Sequence, residues 1–346
     1  MTESELRPIH VAATLALSAA GAGLFWVLGF PAAMLTGPAA VVSVATVFGF
    51  PAHIPNLLRD ACFLMIGVSI GSTVTPDVIE AAVTWPLSFV VLTISLVATM
   101  AVGQAVLVRG FGYDRITALL GAAPGHLSYV LGLSADLGAD VARVALVQSV
   151  RVLILTLLVP VLLALWGAEG TSQLPDRGAQ PIWMSAVLVA LALGVGVVLR
   201  RLTVPAPLFL GGMVVSAIGH GADITPGAPP IVLTMLAFLI MGALIGTRFR
   251  GIGGAEIVKA FVAGLGVTLA ACVVAALGAV LAGWLVGLPP AVVLLAFAPG
   301  GVEVMAALAI EAGLEPAFVA AHHVVRLIIL TAAVPLFLAS ERRRGR

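Results

Sequence analysis

The chain has 346 residues, 61% of them hydrophobic and only 10% charged, with a mean hydropathy of +1.18. Soluble domains carry about 25% charged residues, so composition excludes a water-soluble globular fold. The near balance of 17 basic and 16 acidic side chains excludes a basic nucleic-acid-binding domain, and no nucleic-acid partner is expected. Its 38 glycines and 21 prolines sit inside apolar runs, as they do in membrane helices. Cys62 and Cys272 lie far apart with no CxxC spacing, so no disulfide framework and no zinc or iron–sulfur site is expected. The fold class read from these facts is an all-α polytopic protein whose main partner is a lipid bilayer.

The chain opens with Glu3 and Glu5 beside Arg7, and the apolar run from about Ile9 to Gly29 has full membrane length. A signal peptide has a basic head and a shorter core, so this run is expected to remain as a first helix. Further runs of spanning length follow at roughly 31–50, 56–73, 83–108, 140–165, 183–200, 205–220, 231–247, 257–286 and 316–339. With the first they make ten, each compatible with a hydrocarbon core about 30 Å thick. Two remaining apolar segments, 115–137 and 290–312, are interrupted by Ala123-Pro124-Gly125 and Ala298-Pro299-Gly300.

The two triplets stand 175 residues apart, half the chain length. Sliding the sequence by that offset aligns Gly67 with Gly242, Gly71 with Gly246, Gly138 with Gly313, Arg151 with Arg326 and Pro160 with Pro335. From Ala123 to Pro160, 15 of 38 positions are identical without a gap, and the matches include Pro, Gly and Arg. A shift of one residue also pairs Pro31-Ala32 with Pro205-Ala206 and Gly37 with Gly211. The expected organisation is a tandem duplication, 1–170 and 180–346, joined by the polar stretch Glu169 to Gln180.

Whether the halves are parallel or inverted depends on the interrupted segments. If they enter and return, each half has five spans and the halves are inverted; if they cross, each has six and the halves are parallel. Lys and Arg concentrate in cytoplasmic loops. The five-span arrangement gathers Arg7, Arg59, Arg109, Arg115, Arg143, Arg200, Arg201, Arg248, Arg250, Lys259, Arg342, Arg343, Arg344 and Arg346 on one side, against Arg177 on the other. The six-span arrangement scatters them. The expectation is therefore two inverted five-span repeats, about ten transmembrane helices plus two re-entrant segments, with both termini cytoplasmic. In a competing version the interrupted segments cross as broken helices and a short run such as 205–220 does not span.

Pro removes a backbone donor and obstructs the preceding turn, while Gly accepts almost any backbone angle. Each triplet therefore breaks a helix and lets another start near Gly125 or Gly300, where free N–H groups suit an anion. Irregular backbone at membrane depth needs protein or a watery cavity around it. Arg151 and Arg326 lie about ten residues into their helices, roughly 15 Å deep. Such a residue normally faces a cavity or a partner. One reading is a guanidinium pair that clamps an oxyanion; the other is an arginine that caps carbonyls and pins the break, and both can hold at once. His322 and His323 precede Arg326 by four and three residues, on its face of the helix, and Gln148 precedes Arg151 by three. Glu303 follows Gly300 and Gly301 closely and is the one carboxylate near either break, with Ser128 as its repeat mate and His126 and Tyr129 beside that serine. Glu303 suits either proton or cation coupling or neutralisation of Arg326. Asp136, Asp140, Glu311 and Glu315 are expected to be solvated ends of the segments. The six histidines show no metal-ligand spacing, and no HExxH, GxSxG or P-loop pattern occurs. No catalytic residue, metal or cofactor is expected, and an enzyme is disfavoured.

The run Ala123-Pro124-Gly125-His126-Leu127-Ser128 continuing to Arg151, and Ala298-Pro299-Gly300-Gly301 continuing through His322-His323-Val324-Val325-Arg326, resemble the duplicated membrane domain of the AbrB-type bacterial membrane protein family. The resemblance covers both halves. That family's pattern reads Ala-Pro-Gly-Gly followed by Glu-Met; here His126 replaces the second Gly, Tyr129 and Val130 replace Glu-Met, and Glu303 stands one position early. Members carry labels such as ammonia monooxygenase or regulator of gene expression. The first would need copper or iron ligands that this sequence does not assemble. The function expected is a bacterial inner-membrane secondary transporter, elevator-like, for a small anionic metabolite. Arg151, Arg326, Gly125, Gly300, Gly301, His322, His323, Gln148 and Ser128 are its expected substrate-binding residues, with Glu303 as coupling candidate. The alternative is a non-transporting membrane regulator or sensor that affects gene expression. A homodimer is expected by analogy.

Overall fold

The computed structural model describes residues 8–125, 127–165, 178–251 and 254–344. Among the described residues the structure is helical, with no strand and one isolated bridge between Ala179 and Ala228. The first half carries α1 (Pro8–Val27), α2 (Ala33–Val47), α3 (Asn56–Gly71), the short α4 (Pro76–Ala81), α5 (Pro86–Phe111), α6 (Arg115–Ala122), α7 (Leu127–Asp136) and α8 (Val141–Leu165). The second carries α9 (Ile182–Arg201), α10 (Pro207–Gly221), α11 (Ile231–Thr247), α12 (Gly254–Val286), α13 (Pro290–Phe297), α14 (Val302–Glu311) and α15 (Pro316–Arg344). The starts of α3, α6, α7 and α8 recur 175 positions later at α11, α13, α14 and α15. Those of α1 and α2 recur 174 positions later at α9 and α10.

Among the described residues, five helices are long and apolar enough to cross a membrane: α1, α5, α8, α9 and Val258–Val286 within α12. Four others, α2, α3, α10 and α11, have 15 to 17 residues, about 22–26 Å at the helical rise. Local backbone sets that shortness. Ala32 and Ala206, each preceded by Pro, take left-handed φ values of 54° and 50°, so α2 and α10 cannot begin earlier. Gly49, with φ 94°, ends the turn after α2. Long apolar side chains such as Trp26, Ile94, Leu191, Leu277 and Trp284 are exposed on the outer helix faces. Hydroxyls, by contrast, are buried: Thr14, Ser18, Ser43 and Thr46 each donate to the carbonyl four residues back at 2.6–2.7 Å. Apolar outside and satisfied polar groups inside is the pattern a bilayer selects.

The chain divides into two compact units, each drawn from both halves. The first comprises 1–82, 156–252 and 306–317. In it α1 pairs with α2 and α9 with α10, with Gly21 against Gly37 and Gly196 against Gly211. Gly67 lies on Phe209 and Met213, and Gly71 on Met213 and Ala217, so α3 and α10 run in the same direction. Gly242 lies on Leu35 and Ala39, and Gly246 on Val42 and Ser43, so α11 and α2 also run together. Between α3 and α11 the order reverses: Cys62 Sγ donates to Ala237 O at 3.0 Å and Ser69 Oγ meets Thr234 Oγ1 at 2.8 Å. At one end Arg200 reaches Asp60 at 2.8 Å.

The second unit comprises 83–155, 253–305 and 318–346. Here α5 and α12 run antiparallel, with Gly266 beside Val106 and Phe111 and Gly278 beside Ser95. Asp114 caps α6 by accepting from the N–H groups of Ile116 at 3.1 Å and Thr117 at 2.9 Å. The Asp140 N–H donates to Thr117 Oγ1 at 3.0 Å, and Arg143 lies 5.3 Å from the Tyr113 ring centroid. The chain that leaves α7 is therefore back beside the start of α6. α6 and α7 form a V with its tip at Ala123–Gly125, and α8 starts where α6 starts.

Candidate functional site

Each tip is an interrupted helix. α6 ends at Ala122, and Ala123 turns extended (φ −60°, ψ 117°), the conformation a following proline favours. α13 ends at Phe297, and Ala298 does the same (φ −52°, ψ 133°). Gly125 N–H folds back to Ala123 O at 2.9 Å, and Gly300 N–H to Ala298 O at 2.8 Å. The new helices begin at Leu127 and Val302. The two glycine N–H groups expected to be free are thus occupied, and the first turns of α7 and α14 begin two residues later than the triplets suggest.

An interrupted helix leaves carbonyls without intrahelical partners. At the first tip, Arg151 donates through Nη1 to Ala122 O and through Nη2 to Ala123 O, both at 3.2 Å. Gln148 Nε2 donates to Leu120 O at 3.0 Å and Ala123 O at 2.9 Å, and its Oε1 accepts from Arg151 Nη2. At the second tip, Arg326 Nη1 donates to Ala298 O at 2.6 Å and Nη2 to Gly300 O. Both arginines are 2% exposed. With their ends engaged, each keeps its Nε–H buried and without an acceptor among the described residues. Carbonyl capping and an open donor edge coexist on both side chains.

Arg326 lies within electrostatic range of Arg151 and of Glu303. Glu303 is buried in the first turn of α14, its Oε2 beside the Cα of Gly301. His323, the positional mate of Gln148, bonds Val319 O through Nδ1 at 3.0 Å, and its ring also lies in reach of the Ala298 backbone at the second tip. His322 turns to α5. Its Nδ1 bonds Phe318 O at 2.8 Å, its Nε2 meets Ser88 Oγ at 2.7 Å, and its ring sits among Phe318, Phe89, Phe297 and Trp85 at 3.9–6.5 Å. The structure therefore brings together Arg151, Gln148 and Gly125 at one tip and Arg326, Glu303, Gly300 and Gly301 at the other. Ser88 and Trp85 were not legible: no motif marks them, and position 263, the repeat mate of Ser88, is an alanine.

His126 and the side chains of Ser128 and Tyr129 lie outside the described residues, as do Arg7, Arg177, Glu169 and the side chains of Arg342, Arg343, Arg344 and Arg346. Glu311, expected as a solvated end, has a buried Oε2 without a hydrogen-bond partner. Among the described residues no three His, Cys, Asp or Glu side chains converge as a metal site requires.

The family model described as transition state regulatory protein AbrB matches residues 2–72 and 34–340. The "Uncharacterized protein YhjN" of Bacillus subtilis (strain 168) is 29% identical over 293 residues, 79% of this chain and 76% of that protein. The "Putative regulator AbrB" of Escherichia coli (strain K12) is 26% identical over 235 residues, 65% of this chain and 66% of that protein. This chain, helical throughout its described residues, with five apolar helices of membrane length among them, duplicated Ala-Pro-Gly breaks and an arginine on each break, belongs to the AbrB family.

Proposed function

We propose that this AbrB-family protein is a secondary transporter of a small anion, built from two inverted five-span repeats in a bacterial inner membrane with both termini cytoplasmic. The observation that carries the reading is the pair of buried guanidiniums, each with an unaccepted Nε–H beside an interrupted helix. A buried donor on a cation is costly to leave unmade, and an anionic oxygen is its natural acceptor. Helix directions support inversion: α3 runs with α10 but against its own counterpart α11, and α5 runs against its counterpart α12. The V of α6 and α7 supports a re-entrant segment over a crossing one. Inverted repeats with interrupted helices near the midplane suit alternating access by displacement of one unit against the other. A regulatory effect, such as the name of the Escherichia coli relative carries, would on this reading act through the bound or transported ligand.

The test is electrogenic or isotopic flux in proteoliposomes challenged with a panel of monocarboxylates, dicarboxylates, sulfate and phosphate. Saturable anion flux, lost in Arg326→Gln while the variant stays folded, is the expected result. Binding without flux in every case makes the protein a sensor; unaltered flux in both Arg151→Gln and Arg326→Gln removes the site.

A further inference from the structure

In the first unit, α10 starts beside the Arg200–Arg201 end of α9 and runs away from it, and His220 stands buried in its last turn. The ring is held between two main-chain carbonyls. Nδ1 lies 2.8 Å from Ser216 O, four residues back, and Nε2 lies 3.0 Å from Gly227 O, across the turn that follows the helix. A carbonyl oxygen only accepts, and a neutral imidazole has a single N–H. Both contacts are hydrogen bonds only when the ring carries two protons; either neutral tautomer sets a nitrogen lone pair against a carbonyl oxygen. Thr225 Oγ1, 3.2 Å from Nδ1, can serve a neutral ring but does not remove Ser216 O from the same nitrogen. His322 shows the difference: it also bonds the carbonyl four residues back, but its Nε2 faces the Ser88 hydroxyl, which can give or take a proton. A charged ring also suits the negative end of α10.

Gly227, at φ 98°, is in turn the seat of the connection that leads into α9. The Ala228 N–H donates to Gly178 O at 2.9 Å and the Gln180 N–H donates to Ala228 O at 3.0 Å, while a Cβ on Gly227 would stand 3.0 Å from Gln180 N. Gln180 is buried, its Oε1 accepting from Ser185 Oγ at 2.9 Å. We propose that His220 is a pH latch: charged, it fastens the turn after α10, and with it the connection ahead of α9, to the helix; neutral, it lets both go. Histidine is the side chain whose charge changes between about pH 5 and 8. The charged neighbours on the surrounding elements are exposed: Asp223 on the same turn, and Glu80 on α4, whose Ile79 lies against Gly221. α3, which meets α10 at Gly71, carries Arg59 and Asp60 near its start, and α9 carries Arg200 and Arg201 at the opposite end. The side chain of Asp77, together with Asp176 and Arg177, lies outside the described residues. In the orientation proposed above this end faces outward, so the pH it reads is the external one; the latch itself does not depend on that orientation or on the anion site.

The experiment is hydrogen–deuterium exchange of the full chain in detergent at about pH 5.5 and about pH 8, corrected for the intrinsic pH dependence of amide exchange. In the natural protein the amides of Gln180 and Ala228 are expected to exchange about tenfold more slowly at the lower pH, while those within α1 and α2 keep the same corrected rates. His220→Gln keeps a donor without the charge, and is expected to give Gln180 and Ala228 the same rates at both pH values; a melting curve shows that it is folded. Asp223→Asn and Glu80→Gln are expected to keep the difference, which assigns it to His220 even should His220→Gln fail to fold. Equal rates at the two pH values in the natural protein overturn the latch. So does a difference that persists in folded His220→Gln, or one that disappears in Asp223→Asn or Glu80→Gln.

Discussion

Arg151 and Arg326 stand 175 positions apart and do the same work twice, each donating both terminal nitrogens to the carbonyls of its own interrupted helix and each keeping an unaccepted Nε–H. Their surroundings differ. Gln148 shares the capping of Leu120 and Ala123 at the first tip, whereas His323, in the same place at the second, bonds its own helix at Val319. At the second tip His323 nevertheless stands in reach of the Ala298 backbone, beside Arg326. A guanidinium that must stay to hold the backbone is also in place for a ligand, so structural and binding roles reinforce each other.

This difference predicts unequal stability costs. Arg151→Ala leaves Ala122 O stranded but keeps Gln148 on Ala123, and is expected to cost about 1–2 kcal/mol. Arg326→Ala strands Gly300 O and leaves only His323 near Ala298, and is expected to cost about 2–4 kcal/mol, on the scale of buried polar groups left unpaired. Thermal or chemical unfolding in detergent, read by circular dichroism, ranks the two. Equal losses would show that His323 holds the second tip as Gln148 holds the first.

Close packing in the first unit makes a second prediction. A Cβ on Gly67 would stand 2.1 Å from Phe209 O, and one on Gly242 2.4 Å from Leu35 O. Both obstacles are backbone, so helices have to separate. Gly67→Ala and Gly242→Ala are each expected to lose about 1–3 kcal/mol, the cost of overpacking. Gly194→Ala in α9 meets nothing within 4 Å and should be neutral or stabilising by up to about 1 kcal/mol through helix propensity. A stable Gly67→Ala protein would contradict the contact between α3 and α10.

These glycines also mark what the sequence made legible. Gly67, Gly71, Gly242 and Gly246 were found by internal alignment alone, and each proves to be a point of close helix approach. The breaks were legible because Pro disfavours a helical residue before it and the following Gly favours a turn, and Ala123 and Ala298 are indeed extended; Pro38 and Pro160, which no glycine follows, stay inside helices. Helix lengths were less so. Hydropathy runs through Phe50, but left-handed Ala32 and Ala206 delay the starts of α2 and α10, a backbone choice that hydropathy does not encode. Among site residues, i, i+3 and i+4 spacing placed His322 and His323 on the face of Arg326. It could not tell that His322 would pair with Ser88, because a packing partner 234 positions away leaves no local pattern.

The Ser88 contact is itself testable. Ser88 Oγ is the one polar atom at 2.7 Å from His322 Nε2 in an aromatic enclosure. Ser88→Ala leaves that ring nitrogen buried and unpaired, at a cost of about 1–3 kcal/mol; Ser88→Thr restores the hydroxyl. Unfolding of the two variants should therefore separate by about that amount, with Thr nearer the natural protein. Coincident curves would mean that water or a rotated ring replaces the serine.

Asp114 supplies a pH dependence outside the spanning helices. Burial pushes its carboxyl up, but bonds from the Thr117 hydroxyl and from the N–H groups of Thr117 and Ile116 outweigh that and hold it below the usual carboxylate value. A depressed folded-state value means that the unfolded chain binds the proton first. The stabilisation is complete above the unfolded value of about 4 and is lost as pH falls through the lower folded one. Asp114→Ala should cost about 1 kcal/mol at pH 7, the usual worth of an N-cap, and that gap should narrow below about pH 4. Asp114→Asn keeps an acceptor for the same N–H groups, so most of the stability should remain and this pH dependence should vanish. Unfolding midpoints of the three proteins at pH 7.5 and pH 3 decide the matter. A gap between natural protein and Asp114→Ala that stays constant with pH would mean that the charge of Asp114 contributes nothing to the start of α6.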